Sequence, residues 1–276
     1  MTEDTIVCLN CGTTLNRSDR FCHRCGQQNL GPEARHLSTL LRSSLKEVTS
    51  LDGKVWPSFL RLLFRPGTLT RAHIEGRRHQ FLKPISVFLM ANLLFFLAPP
   101  LSDFNIVLYD QYSIQPYSGL ISPVIDNAIA AADTTFQTVA TDYNQRVVDI
   151  AKMMVIFHVP FIALYTFVLG FNREYLYADH VVAALHYFSF LMVFQALYPT
   201  LFSWVTALVP EVNRGLIWDG IGVIRYLYVP FMIHFAFRLP WYRTLVIAAA
   251  YMPVLLGVHF IYRFVQFWIV FGLVWP

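Results

Sequence analysis

The chain has 276 residues, of which 56% are hydrophobic, 16% aromatic and only 14% charged. A soluble globular domain carries about 25% charged residues, so this composition, with a mean hydropathy of +0.48, excludes an ordinary soluble domain and predicts an integral membrane protein. Charge is uneven: residues 1–83 hold 13 Lys/Arg and 7 Asp/Glu, a formal +6, whereas residues 84–276 hold 8 and 10, a formal −2.

The basic end is therefore expected to be the soluble end. It opens MTEDTIVCLNC, with two acids and no apolar run, which does not read as a secretory leader. The N-terminus is expected in the cytoplasm, where a reducing environment keeps thiolates available as metal ligands. All four cysteines follow as Cys8-x2-Cys11, ten intervening residues, and Cys22-x2-Cys25. Four soft thiolates suit a closed, tetrahedral, structural zinc site. Gly12 and Gly26 follow the pairs and are expected to fold the backbone back and donate N–H groups to the sulfurs. The intervening GTTLNRSDRF is long enough for a short hairpin. Residues 1–30 thus read as a zinc ribbon, the metal replacing a core that so short a segment cannot build. Two disulfides would need an oxidising compartment, and a redox C-x-x-C would need a thioredoxin-like context that is missing. His23 is a bystander, and a filled site leaves no position for zinc catalysis.

Residues 31–81 read as a basic shelf. After the linker QNLGPE, Leu37, Leu40, Leu41, Leu45, Val48 and Leu51 recur at helical spacing. WPSFLRLLFRPG predicts a short apolar helix closed by Pro66-Gly67, and Thr70 is a candidate cap for a further one over RAHIEG. Lys46, Lys54, Arg61, Arg65, Arg71, Arg77, Arg78 and Lys83 fall in or beside this stretch. Amphipathic basic helices ahead of a span fit anionic headgroups, with Arg61, Arg65, Arg71, Arg77, Arg78 and Lys83 as the lipid-surface contacts. The simpler reading is that these charges fix topology and solvate one face. Nucleic acid is not expected, because the aromatics sit among leucines instead of interleaving with the basic residues.

The remainder, 82–276, reads as an all-α polytopic bundle of about five transmembrane helices. The candidate spans are about 82–100, 152–170, 181–208, 217–237 and 245–274. Counted from inside, the loops largely follow the positive-inside rule. The outer loop 101–151 has six Asp and one Arg, Arg146; the inner loops carry Arg173, and Arg238 with Arg243. The second outer loop is neutral, with Glu211 and Arg214. Within the first outer loop, Ile125, Ile129, Ala132, Phe136, Val139, Tyr143, Val147 and Ile150 predict one amphipathic helix running into the second span. Asp126, Asp133, Asp142 and Asp149 should face water. That helix should pack on the protein's own surface or serve as a docking ridge.

Ionisable groups in lipid are costly and suggest function. Here they are His158, His186, Arg225, His234, His259 and Arg263, with Gln195 and Gln266. His259, Arg263 and Gln266 share one face of the last helix. Arg225, His259, Arg263 and Gln266 together could form an intramembrane site for an anion or lipid; otherwise these groups make interhelical hydrogen bonds. Acids are missing at mid-depth, which argues against a proton relay. A histidine metal site is disfavoured, since His180 and His186 are six apart and do not share a helical face.

The stretch C-x2-C…FCHRCGQ, followed by SLDGKVWPSFLRLLFRPGTLTRAHIEGRRHQFLKPISVFLMANLLFFL, resembles an uncharacterised bacterial membrane family, domain of unknown function 3667. Phe64-Arg65-Pro66-Gly67 and Glu75-Gly76-Arg77-Arg78 carry the likeness. YADHVVAALHYFSF is similar to the pattern after that family's second span, through Tyr177, His180, Leu185, His186 and Phe190; His180 and His186 match with no known role. Leu9-Asn10 departs from the family's usual proline between the first cysteines, and His73-Ile74 from its usual tyrosine. The resemblance implies a ribbon, a shelf and spans in a bacterial membrane, but no activity.

No phosphate-binding loop, serine-nucleophile elbow or zinc-protease motif is present, so an enzyme is not expected. The favoured reading is a membrane-anchored adaptor in the bacterial cytoplasmic (inner) membrane, its cytoplasmic ribbon docking a protein partner and its shelf touching anionic lipid. The alternative is a small transporter or lipid- or anion-handling protein with a polar intramembrane face.

Overall fold

The structure is a computed structural model that describes residues 5–29, 53–97, 104–170, 172–208 and 214–275. The leucine-spaced helix expected over 37–51, residues 30–33 of the linker before it and the loop holding Glu211 lie outside the described residues.

The N-terminal knuckle is built on two short antiparallel strands, β1 (Thr5–Val7) and β2 (Thr14–Asn16), paired Ile6 to Leu15. The hairpin therefore closes over the first C-x-x-C and does not lie between the pairs, as GTTLNRSDRF had suggested. Cys8, Leu15 and Cys22 form its small buried centre.

Two shelf helices follow, α1 (Val55–Phe64) and α2 (Thr68–Ile74). Pro66-Gly67 separates them, with Gly67 at φ 74, a backbone state open to glycine without strain. Gly67 occupies the cap position of α2, so Thr70 is not a cap; it lies inside the helix and is buried. Phe59 and Leu62 of α1, with Leu69 and Ala72 of α2, join the main core. The shelf is thus part of the bundle. Its other face is apolar too: Trp56, Leu60 and Phe64, spaced by four, are exposed, Trp56 at 71% and Phe64 at 75%. An aromatic-tipped apolar stripe open to the outside suits the headgroup boundary of a bilayer.

The bundle comprises α3 (Pro84–Leu97), α6 (Phe136–Met154), α7 (His158–Leu169), α8 (Tyr177–Leu208), α9 (Arg214–Phe237) and α10 (Trp241–Val274). A single 3-10 turn joins α6 to α7, so Phe136–Leu169 is one helical run. α8 is the axis: every residue from Ala178 to Phe194 is buried, and α3, α7 and α9 pack around it. Burial on all sides explains why its first half is mostly apolar, with Asp179, His180, His186 and Ser189 as buried exceptions. α10 is the reverse case. In its most apolar window only 22% of residues are buried, against 83% for α8. So much open apolar surface is incompatible with water and matches lipid.

Among the described residues, three helices are long and apolar enough to cross a membrane: Phe136–Leu169, Tyr177–Leu208 and Trp241–Val274. The other two expected spans appear as shorter apolar helices, Pro84–Leu97 and Gly222–Phe237. At 1.5 Å per residue, the 14 residues of α3 reach roughly 21 Å, short of the ~30 Å hydrocarbon core.

The outer segment holds α4 (Leu108–Ser113) and α5 (Ser118–Ala131). One continuous amphipathic helix into the second span is not what forms. Asp133 adopts φ 47, and Thr135 caps α6 by accepting from the Thr138 amide at 3.3 Å, so the chain turns between two helices. Ile121 and Ile125 of α5 then meet Val139, Tyr143 and Val147 of α6 and Phe267, Val270 and Phe271 of α10 in a second core. The apolar residues read as a ridge are spent on the protein's own packing. Asp126, Asp133, Asp142 and Asp149 all face outward.

The two ends differ in charge. The knuckle, the shelf, the loop carrying Arg173 and the α9–α10 corner carrying Arg238 gather at one end, joined by Arg71 to Tyr175 at 3.0 Å and Arg238 to Glu75 at 2.8 Å. The aspartate-rich α4–α6 segment packs at the far end of α10.

Candidate metal centre and basic shelf

Each C-x-x-C turn is built the same way. The Cys8 amide donates to the Thr13 carbonyl and the Gly12 amide to Cys8; likewise Cys22 to Gln27 and Gly26 to Cys22. Gly12 and Gly26 adopt φ 74 and 70, as expected. Their N–H groups satisfy cysteine carbonyls, however, and other amides serve the sulfurs: those of Asn10 and Cys11 point at Cys8 Sγ, and that of Thr13 at Cys11 Sγ.

The two turns bring the four sulfurs within 4.8 Å of one another. Cys8 and Cys25 Sγ stand 3.7 Å apart, and Cys11 and Cys22 Sγ 3.6 Å. All four are free thiols. A tetrahedron of sulfurs at ~2.3 Å from one ion has edges of about 3.8 Å, so the set can hold one metal ion. His23 is outside the cluster. The Thr13 hydroxyl, 3.3 Å from Cys11 Sγ, and its amide hold that thiol down to about 6; burial pushes Cys8 up to about 11. A metal ion bound by the four sulfurs would hold them as thiolates.

The knuckle is clamped to the shelf. Gln27 Nε2 donates to the Gly76 carbonyl at 2.8 Å, and its Oε1 accepts from the amides of Arg78 (3.1 Å) and His79 (3.3 Å). Gly76 adopts φ 79, and a Cβ there would lie 2.5 Å from Leu9 Cδ1. Gln27 is a residue that sequence reasoning does not single out. No spacing rule marks a glutamine whose partner is 49 residues away.

The six expected lipid contacts separate into groups. Arg71 is half-buried: Nε donates to Glu75 at 2.6 Å and Nη1 to Tyr175 Oη. Arg77 and Arg238 also pair with Glu75. Burial raises the Glu75 carboxyl, but the Arg71 hydrogen bond and the charges of Arg71, Arg77 and Arg238 outweigh it, leaving the group below its ordinary value. Arg61 stacks over Phe81 at 4.6 Å. Arg65 is exposed at the end of α1. Arg78 lies beneath the knuckle with its amide on Gln27. Lys83 precedes α3, its carbonyl accepting from Val87.

The polar groups expected within the spans have local partners. His158 donates from Nδ1 to the Val155 carbonyl at 3.3 Å, which leaves Nε2 to accept from His259 Nδ1 at 3.2 Å. Gln266 donates to the Phe104 carbonyl and to Tyr262 Oη. The Arg263 carbonyl accepts from Gln111, and Arg225 stacks over Tyr226. His180 and His186, six apart, serve different contacts. His180 meets Thr166 Oγ1 at 3.1 Å and stacks on Phe237. His186 meets Thr70 Oγ1 at 2.9 Å, tying the shelf to the middle of α8. His234 donates to the Leu239 carbonyl at 2.8 Å and braces the α9–α10 corner.

Residues 52–96, which hold α1, α2 and all but the last residue of α3, match the model of a protein family of unknown function (DUF3667). No curated protein and no solved structure matches the chain.

Proposed function

We propose that this protein is an adaptor integral to the bacterial cytoplasmic membrane, whose four-cysteine knuckle binds structural zinc and presents a fixed recognition surface to a cytoplasmic protein partner. Zinc is the ion a closed set of four thiolates suits best where no redox role is needed. The positive-inside rule puts the basic end, with knuckle and shelf, in the cytoplasm. All five apolar helices, including the short α3, are then crossings, and Arg61, Arg65 and their neighbours meet anionic headgroups.

The observation that carries this reading is the Gln27 clamp on Gly76, Arg78 and His79. A knuckle on a loose tether could bind a partner but could not fix its height and angle. One clamped to a helix pair that is itself part of the bundle does both. The polar face of the last helix, with His259 and Gln266 engaged in local hydrogen bonds, favours a structural role for those groups over transport.

The test is native mass spectrometry of the full-length protein in nanodiscs drawn from its own membranes. One zinc per chain and a co-purifying protein lost on Cys22→Ser are expected. A chain free of zinc, or a retained anion or lipid lost on Arg263→Ala with no protein partner, would overturn the adaptor reading.

A further inference from the structure

Between the shelf and the α9–α10 corner lies a cavity of about 420 Å³. Five arginines line it: Arg61, Arg65, Arg71, Arg77 and Arg238. Among the described residues the one carboxylate paired with any of them is Glu75, which Arg71, Arg77 and Arg238 share. Among the described residues, five cations less one anion leave a formal +4 around a single concavity. Neither Arg61 nor Arg65 has a carboxylate partner among the described residues.

Like charges brought this close repel, so the folded chain holds them together against a cost that a counter-charge would relieve. Burial, with the neighbouring charges of Arg65 and Arg77, lowers Arg61 from its ordinary value. Two features fix the cluster in place. Arg71 is gripped by Glu75, Tyr175 and the Ala236 carbonyl. Arg238 sits at φ 49, a conformation sparsely used by residues other than glycine, and from it reaches Glu75. Backbone strain persists where the surroundings over-determine it, often at ligand clamps.

Flat guanidinium forks pair with phosphate oxygens two at a time, whereas a single carboxylate would leave most of this charge unmet. The volume falls within the ~300–1,000 Å³ of small-molecule sites, large for a bare phosphate. The exposed Trp56, Leu60 and Phe64 stripe lies on α1, the helix that also carries Arg61, and suits the headgroup boundary of a bilayer.

We propose that this cavity is a binding site for a phosphate-bearing polyanion, a diphosphate or a phosphate ester, presented by a lipid headgroup or by a soluble molecule. It is separate from the four cysteines and from the intramembrane set of Arg225, His259, Arg263 and Gln266.

The experiment uses the full-length protein in phosphatidylcholine nanodiscs. Pyrophosphate binding is followed by calorimetry, and retention of doped cardiolipin by native mass spectrometry. The site variant is Arg61→Gln/Arg65→Gln, which spares the Glu75 network. The control, Lys54→Gln/Arg173→Gln, removes the same charge from outside the cavity. The site variant should weaken at least one probe by about tenfold or more, while the control retains wild-type binding and both variants keep the wild-type melting temperature. Loss of pyrophosphate binding alone assigns a soluble ligand; loss of cardiolipin retention alone assigns a headgroup. If neither probe binds the wild-type protein, or if the control loses as much as the site variant, attraction is diffuse and the site does not exist. Should Arg61→Gln/Arg65→Gln unfold, Arg65→Gln alone must show the same selective loss.

Discussion

Glu75 accepts from three guanidiniums, and its ionisation therefore links the shelf to pH. Its carboxyl is held below the ordinary value by Arg71 foremost among its partners, against the opposing effect of burial. A depressed carboxylate contributes stability above its unfolded value, about 4.3, and loses it as pH falls through the lower folded value. The melting temperature of the wild-type protein should fall as pH is lowered through that window, and Glu75→Gln should flatten the fall while lowering stability at pH 7. An unchanged acid slope in the variant would remove Glu75 from its place at the hub. A second residue-scale prediction concerns the clamp. Gly76→Ala sets a Cβ 2.5 Å from Leu9 in a left-handed backbone. That should cost on the order of 2 kcal/mol, read as faster hydrogen exchange across residues 5–29 with the bundle's exchange unaltered. The four cysteines were legible in the sequence because ligand spacing is a local property. Gln27 and Arg238 were not, because each acts on a segment 49 or 163 residues away, which no local pattern records.

At the scale of elements, the same distinction decides what periodicity can show. The repeat from Ile125 to Ile150 is helical on both sides of Asp133, and its apolar face continues into the structure. The break comes from Thr135, whose side chain offers the Thr138 amide a better partner than the preceding turn would. For the shelf, helical spacing predicted an apolar face but not its partner. Leu62 and Leu69 turn out to face the bundle, while Trp56, Leu60 and Phe64 face outward, so α1 is apolar on both sides. The elbow between the shelf helices gives the sharpest element-scale prediction. A Cβ on Gly67 would lie 2.3 Å from the Met232 carbonyl and 2.8 Å from the Ala236 amide, at φ 74. Gly53 also has positive φ, at 63, but open space around it. Gly67→Ala should therefore cost roughly 3 kcal/mol or more and Gly53→Ala about 1 kcal/mol, measured as melting temperatures in one detergent. Equal effects would mean that α2 does not pack against α9 as closely as the structure has it.

At the scale of the whole molecule, the basic and acidic ends make topology a physical claim. A bilayer resists moving charge across it, and arginine-rich loops stay on the cytoplasmic side. The shelf, Arg173 and Arg238 gather at one end, and Asp126, Asp133, Asp142 and Asp149 lie in the segment packed at the other. The composition already announced a membrane protein. The number of crossings is harder to read, because α3 is short for a bilayer and α8 is apolar through burial in protein as well as through any contact with lipid. Sidedness tests both points together. Asp133 and Arg173 are exposed and on this topology lie on opposite sides, separated by the single run Phe136–Leu169. In intact cells a membrane-impermeant maleimide should label Asp133→Cys, and should reach Arg173→Cys only after lysis. On the proposed reading, with metal engaging them on the cytoplasmic side, the knuckle thiols should remain unlabelled in both. Labelling of both positions from outside would mean that this helical run does not cross. The reverse pattern would put the arginine cavity and the knuckle outside the cell, where neither a cytoplasmic partner nor a reducing environment is available to them.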